Sequence, residues 1–241
     1  MTGQRVLGVL VLSLTGVFAS NAIMAQQVEQ DRYMAERVAE CGSLFNSVGP
    51  FDYRTRHSSA QRDWDDQDTT RNHYDPAYQR IKEREFSERV MADIDFLLRA
   101  YPNHYPALQL LIEYDAGGGW PHRFRSPDCY FERARRFQPD DLTVIMYEAY
   151  YWLKKGDRER AARAYQDALV LQPDSADANY NYGLLLANEG DYERALGYAQ
   201  KAYAAGYPLA GLRRKLEKAG KWRPLEQQAG ELSPEAGTGR P

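Results

Sequence analysis

The sequence predicts an all-α fold, a solenoid of about three helix-turn-helix units with flanking helices and a loop-rich N-terminal head. Three observations predict it. "GDRERAARAYQDALVLQP" begins at Gly156 and a near copy, "GDYERALGYAQKAYAAGYP", begins at Gly190, a spacing of 34 residues. The coinciding residues are the turn pairs Gly156-Asp157 and Gly190-Asp191, with the small Ala161 and Ala168 falling on Ala195 and Ala202. Small residues fixed at this period are what stacked helical hairpins require, because two helices approach closely only where side chains are short. Apolar residues recur at helical spacing before and between these copies.

Elements follow in chain order. Arg5 precedes an apolar run from Val6 to Ala19, ending in small residues around Ser20 and Ala22. The run is shorter than the roughly 20 residues that span a bilayer, so residues 1–25 read as a secretory signal peptide, cleaved after Ala22 or Ala25. The expected destination is periplasmic or secreted, with no stable membrane insertion after cleavage. Two cysteines, Cys41 and Cys129, then remain. An even count in an exported chain favours a disulfide between them, and Cys41 lies too far past the apolar run to be a lipid anchor.

Residues 26–74 form the head. Met34, Val38, Cys41 and Phe45 stand at helical spacing, which predicts a short helix near Gln30 to Asn46 with one buried face. "VGPFDYRTR" is a turn followed by aromatic and basic residues, and the polar stretch up to Asp75 predicts an exposed loop. The solenoid spans residues 75–223. Asp75, as cap for Pro76, opens one long helix through Ala100, on which Tyr78, Ile81, Phe86, Val90, Ile94 and Leu97 make an apolar stripe. Stepping back 34 residues from Leu142 gives a unit from Leu108, with Phe131, Ala134 and Pro139 in register. Its middle departs from the pattern: "GGGWPHRFR" replaces the tight turn, and Ser126-Pro127 restarts a helix. "LAGLRRKLEKAGK" from Leu209 is a closing helix over the last apolar face, and residues 224–241 are a Gly-, Pro- and Glu-rich disordered tail.

In the unit from Leu142, Ala149, Trp152, Gly156, Ala161, Tyr165, Ala168 and Pro173 occupy successive hallmark positions. In the unit from Ala176, Gly183, Leu186, Gly190, Ala195 and Ala202 do so, while Ala199 replaces the aromatic and the proline comes late at Pro208. On these residues the chain resembles the tetratricopeptide repeat (TPR) family. With its cysteine-containing helix and "GPFDYR", it is also similar to small secreted bacterial TPR proteins, a resemblance that brings no activity with it.

The TPR resemblance implies a groove, lined by the first helix of each unit, that holds a partner's peptide or helix. The groove positions here are Met146, Tyr147, Tyr150, Leu153 and Lys154 in one unit and Tyr180, Asn181, Leu184 and Asn188 in the next, followed by Arg214 and Lys215 of the closing helix. Rings, amides and a basic end suit a peptide with an acidic or carboxylate terminus. The alternative for the tyrosines is packing between neighbouring units. Of the residues with which one TPR subclass clamps a terminal carboxylate, Asn181 and Lys215 match, whereas Met146 and Gly211 stand where lysines would be.

Other chemistry is sparse. The chain carries 31 basic and 34 acidic residues, a net charge of −3, which argues against nucleic acid as a partner. Asp63, Asp65, Asp66 and Asp68 lack the glycine turn and later glutamate of a calcium loop, so they read as a solvated loop. His57, His73, His104 and His122 are scattered singly, with no zinc spacing. No metal or cofactor is expected, and no motif pairs a nucleophile with its base. Asp52, Tyr53, Trp120, His122, Arg123 and Arg125 could gather into a head-loop patch near Cys129, against the plainer alternative that they stitch the head to the array. The expected function is therefore a non-catalytic, exported scaffold or adaptor that binds a protein or peptide partner through the groove or this patch. The alternatives are a small-ligand or glycan-binding head with Trp64 and Trp120 as stacking surfaces and, more distantly, a hydrolase.

Overall fold

A computed structural model describes residues 35–58 and 65–224, together with Met24, Glu29 and Arg32. Apart from Met24, the expected signal peptide lies outside the described residues, as do Trp64 and residues 225–241 of the expected tail. The chain divides into two compact units, one up to Ser43 and one from Leu44 onward.

In the first unit residues 35–41 are helical. Gly42 ends the helix in the left-handed region, at φ 81°, and its N–H donates to the Val38 carbonyl at 2.9 Å. The expected helix through Asn46 is thus cut short. Val38 is 40% and Phe45 86% exposed, so they do not share a buried face with Cys41. Cys41 and Cys129 are both disulfide-bonded.

Every regular element among the described residues of the second unit is helical, and the sole β contact among them is an isolated bridge between Asn46 and Gly49. A 3-10 turn at Tyr53–Thr55 and a π-helical segment at Asp65–Tyr74 precede nine α-helices: α1 Asp75–Lys82, α2 Glu88–Ala100, α3 Tyr105–Gly117, α4 Pro127–Phe137, α5 Leu142–Lys155, α6 Arg158–Leu171, α7 Ala176–Glu189, α8 Tyr192–Ala204 and α9 Gly211–Lys218. Packing follows chain order. α5 lies against α6, α6 against α7 and α7 against α8, and α9 covers α7 and α8.

The two copies of the repeat use the same local devices. Asp157 and Asp191 cap α6 and α8 by accepting from the backbone N–H groups of Arg160 and Arg194, at 3.0 and 3.2 Å. Gly156 and Gly190 end α5 and α7 with φ of 78° and 86°, so the chain turns back within two residues. Ala149, Ala161, Ala168, Ala195 and Ala202 are fully buried at the contacts between hairpins. A Cβ on Gly183 would stand 2.8 Å from a methyl of Leu212, showing how near α9 comes to α7.

Two apolar cores result. One gathers α1 to α5 around residues such as Ile94, Leu97, Leu108, Leu111 and Phe131; the other gathers α5 to α9 around the small-residue contacts, and Trp152 packs against both.

Two expectations at the start of the array need correction. The long opening helix is two helices, because Arg84 takes a left-handed conformation at φ 60° and Ser87 starts α2 afresh. The apolar stripe survives the break because α1 and α2 fold against each other and both meet α3. The stretch before Asp75, expected as an exposed loop, is helical from Asp65 and runs directly into α1, so Asp75 is inside the helix rather than its cap. Thr69 of this segment is buried, and the His73 ring stacks on Phe96 at 3.9 Å while its Nδ1 lies 2.8 Å from Asp93. Polarity along the strip misled because half-buried aromatic and ion-paired contacts, rather than an apolar face, hold it.

Candidate functional site

The first helices α5 and α7 place four of the expected groove residues together. Met146, Tyr147, Tyr150 and Asn181, joined by Thr143 and by Tyr165 of α6, line an open concavity of about 230 Å³. They meet because α5 positions 143, 146, 147 and 150 share one helical face, and α7 presents Asn181 beside it. Tyr165 forms the floor: it is buried, and burial, with Tyr207 nearby, raises its phenol pKa above the ordinary value. Tyr150 stands at the mouth, 43% exposed, with the Lys154 ammonium 5.3 Å from its ring centroid. The Asn181 Nδ2 donates to the Asp177 carbonyl at 2.8 Å, which holds the amide fixed.

The remaining groove positions are placed otherwise. Tyr180 is only 6% exposed and stacks on Tyr207 with centroids 4.0 Å apart, so it serves packing. Leu184 is half-buried against the second core, Asn188 and Arg214 are exposed, and Lys215 is half-buried; none of them lines the concavity with Tyr150. Thr143 and Tyr165 are lining residues not expected from the sequence; for Thr143 the signal was its place on the α5 face shared with Met146, Tyr147 and Tyr150, whereas Tyr165 comes from the second helix, α6.

The six residues of the expected head-loop patch divide between two places. Asp52 and Tyr53 sit in a polar network with Asn103 and Asp141. Asn103 Nδ2 donates to Asp52 at 2.8 Å and to Asp141 at 2.9 Å, and Asn103 Oδ1 accepts from the Tyr53 N–H at 2.9 Å. Asp141 also accepts from the Tyr105 hydroxyl at 2.9 Å and caps α5 through Thr143 and Val144. Burial alone would raise the Asp52 pKa, but hydrogen bonds from Arg54 and Asn103 outweigh it and hold the carboxyl below its ordinary value. His104 beside it is buried, its ring 4.2 Å from that of Tyr53, and burial lowers its pKa to about 3. Its Nδ1 accepts from the Ala107 N–H at 3.1 Å and so caps α3. This network ties "GPFDYR" to the array, and its geometry offers no nucleophile paired with a base. From the sequence His104 is only a scattered histidine, and Asn103 and Asp141 are not singled out, because a single polar residue in a turn gives no sign of burial.

Trp120, Arg123 and Arg125 lie elsewhere. Trp120 packs edge-on against Tyr114 with centroids 5.8 Å apart, and its indole nitrogen is buried, so the ring is engaged in packing rather than offered as a stacking surface. Arg123 pairs with Glu88 at 3.2 Å, and Arg125 approaches Asp95 at 3.8 Å. His122 is exposed. Among the described residues no cluster of three or more His, Cys, Asp or Glu side chains could hold a metal ion, and no helix is long and apolar enough to cross a membrane.

Residues 148–210 match a family model described as tetratricopeptide repeat. Over this segment the chain is similar to tetratricopeptide repeats. The match runs from the middle of α5 across the whole of α6, α7 and α8, the segment in which the 34-residue register is kept best. No curated protein matches this chain. Among solved structures, one titled "Crystal structure of MamA" is similar at 12% identity, covering 71% of this chain and 99% of that one with a TM-score of 0.40. The tetratricopeptide repeat is in general a non-catalytic, protein-binding fold, and Tyr150, Tyr165 and Asn181 of the groove lie within the matched segment.

Proposed function

We propose that this protein is an exported, non-catalytic scaffold of the bacterial envelope that holds an extended peptide or helix of a partner protein in the concavity of α5 and α7. The observation that carries this reading is the aromatic groove itself: Met146, Tyr147, Tyr150 and Asn181 converge on one open hollow, while Tyr180, close by in sequence, is consumed by packing. Rigid rings with a fixed amide give contact area at low entropic cost and hydrogen bonds to a peptide backbone. The apolar run before Ala22 supports export to the periplasm or beyond.

Crosslinking pull-down from envelope extracts tests it. Tyr150→Ala with Asn181→Ala is expected to release a partner that the unmodified chain and Trp120→Ala both retain. Retention of every captured protein by the groove variant would overturn the reading.

A further inference from the structure

The array breaks its own register at one place. Where the unit from Leu108 calls for a tight turn, the residues Gly118 to Ser126 form a longer connection between α3 and α4. This loop folds back on α2, and the two enclose a pocket of about 370 Å³ lined by Ala92, Asp95 and Arg99 from the helix and Arg123, Phe124 and Arg125 from the loop.

Three guanidinium groups thus face one carboxylate, in a chain whose net charge is −3. The oxygens of Asp95 are already engaged: Oδ1 accepts from the Tyr130 hydroxyl at 2.7 Å and Oδ2 from Arg99 Nε at 2.8 Å. Arg125 reaches Asp95 only at 3.8 Å and makes no hydrogen bond among the described residues. Arg123 lies over the Phe124 ring at 4.7 Å, which orients its fork, and its pair with Glu88 joins two largely exposed side chains. Such exposed pairs are weak and easily exchanged. Behind the pocket, the pKa of Arg133 is lowered first by burial and then by the neighbouring Arg125 and Arg136. Arginine is the side chain whose planar, five-donor fork matches a carboxylate or phosphate.

We propose that this pocket binds an oxyanion, with Arg123 and Arg125 as its donors and Arg99 flanking them. The same forks accept the carboxylates of an acidic polypeptide segment or a free phosphate, and the two sources differ in size and valence. The site shares no residue with the groove, so it stands or falls separately from the function proposed above.

Isothermal titration calorimetry on the full chain at low ionic strength decides the matter, using inorganic phosphate and, separately, a blocked tri-glutamate peptide. Saturable single-site binding of at least one probe is expected. Arg123→Gln with Arg125→Gln should weaken it about tenfold or more, as the loss of hydrogen bonds to a charged group predicts, while Tyr150→Ala leaves it unchanged. Binding of phosphate alone assigns the pocket to a free anion, and binding of the peptide alone assigns it to an acidic polypeptide. Because both arginines are substantially exposed, a circular dichroism melt should show the double variant folded. No saturable heat with either probe, or binding that survives the double substitution, overturns the proposal.

Discussion

Asn103, fully buried, donates from one nitrogen to both Asp52 and Asp141, at 2.8 and 2.9 Å. Two carboxylates approach the same amide because each has other donors, Arg54 and Gln138 for Asp52 and the Tyr105 hydroxyl for Asp141. Asn103→Ala leaves the buried Asp141 short of a donor and is expected to destabilise the fold by about 1–3 kcal/mol. Urea denaturation followed by circular dichroism measures this, and an unshifted midpoint would show that the network does not hold the segment.

His104 sets a pH dependence. Its native pKa is about 3 because burial disfavours the imidazolium, with Arg56 adding to the effect. The unfolded chain titrates near 6.5, so between these values the unfolded state binds more protons than the native one. This contribution is fully present above about pH 6.5 and is lost as the pH falls toward the native value, with a slope approaching roughly 1.4 kcal/mol per pH unit. His104→Asn keeps an acceptor for the Ala107 N–H and should flatten that part of the stability profile. Asp52, with its depressed native pKa, acts lower: its contribution is present above about 3.9 and is lost as the pH falls through the native value. Urea midpoints collected from pH 4.5 to 7.5 therefore read the His104 effect without that of Asp52.

Ala161 and Ala195 are fully buried where helical hairpins meet. Enlarging either to Leu is expected to overpack the contact and to cost about 1–3 kcal/mol. A thermal melt reads the change, and an unaltered midpoint for both would remove the close-approach account of the 34-residue period.

Gly49 lies against the end of α2. A Cβ there would run into the carbonyl oxygen of Ala100, and the Phe51 N–H donates to that same oxygen at 2.8 Å. Since the obstacle is backbone, it cannot rotate away. Gly49→Ala should therefore loosen residues 46–53 from the array at a cost of about 1–3 kcal/mol. Amide hydrogen exchange should show the Phe51 N–H losing protection.

Tyr150 and Tyr180 make a paired comparison. Tyr150→Ala removes a ring that is 43% exposed and should change stability little, whereas Tyr180→Ala empties a buried site stacked on Tyr207 and should cost about 3 kcal/mol or more. Equal stability of the two variants would contradict the assignment of one ring to the groove and the other to packing.

The sequence by itself determined the repeat. Glycines at 156 and 190, aspartates after them and alanines at fixed offsets act through local backbone geometry and close approach, and such constraints are written residue by residue. The starts of α5 and α7 at Leu142 and Ala176, and the restart of a helix at Pro127, were legible for that reason. Only the tertiary structure decided that the opening helix breaks at Arg84, that the polar stretch before Asp75 is helical, and that Tyr180 is buried while Tyr150 is exposed. It also separated Asp52 and Tyr53 from Trp120, Arg123 and Arg125. These outcomes depend on which side chains meet across distant segments, and burial, hydrogen-bond pairing and local electric field arise from that meeting rather than from any residue's own preference.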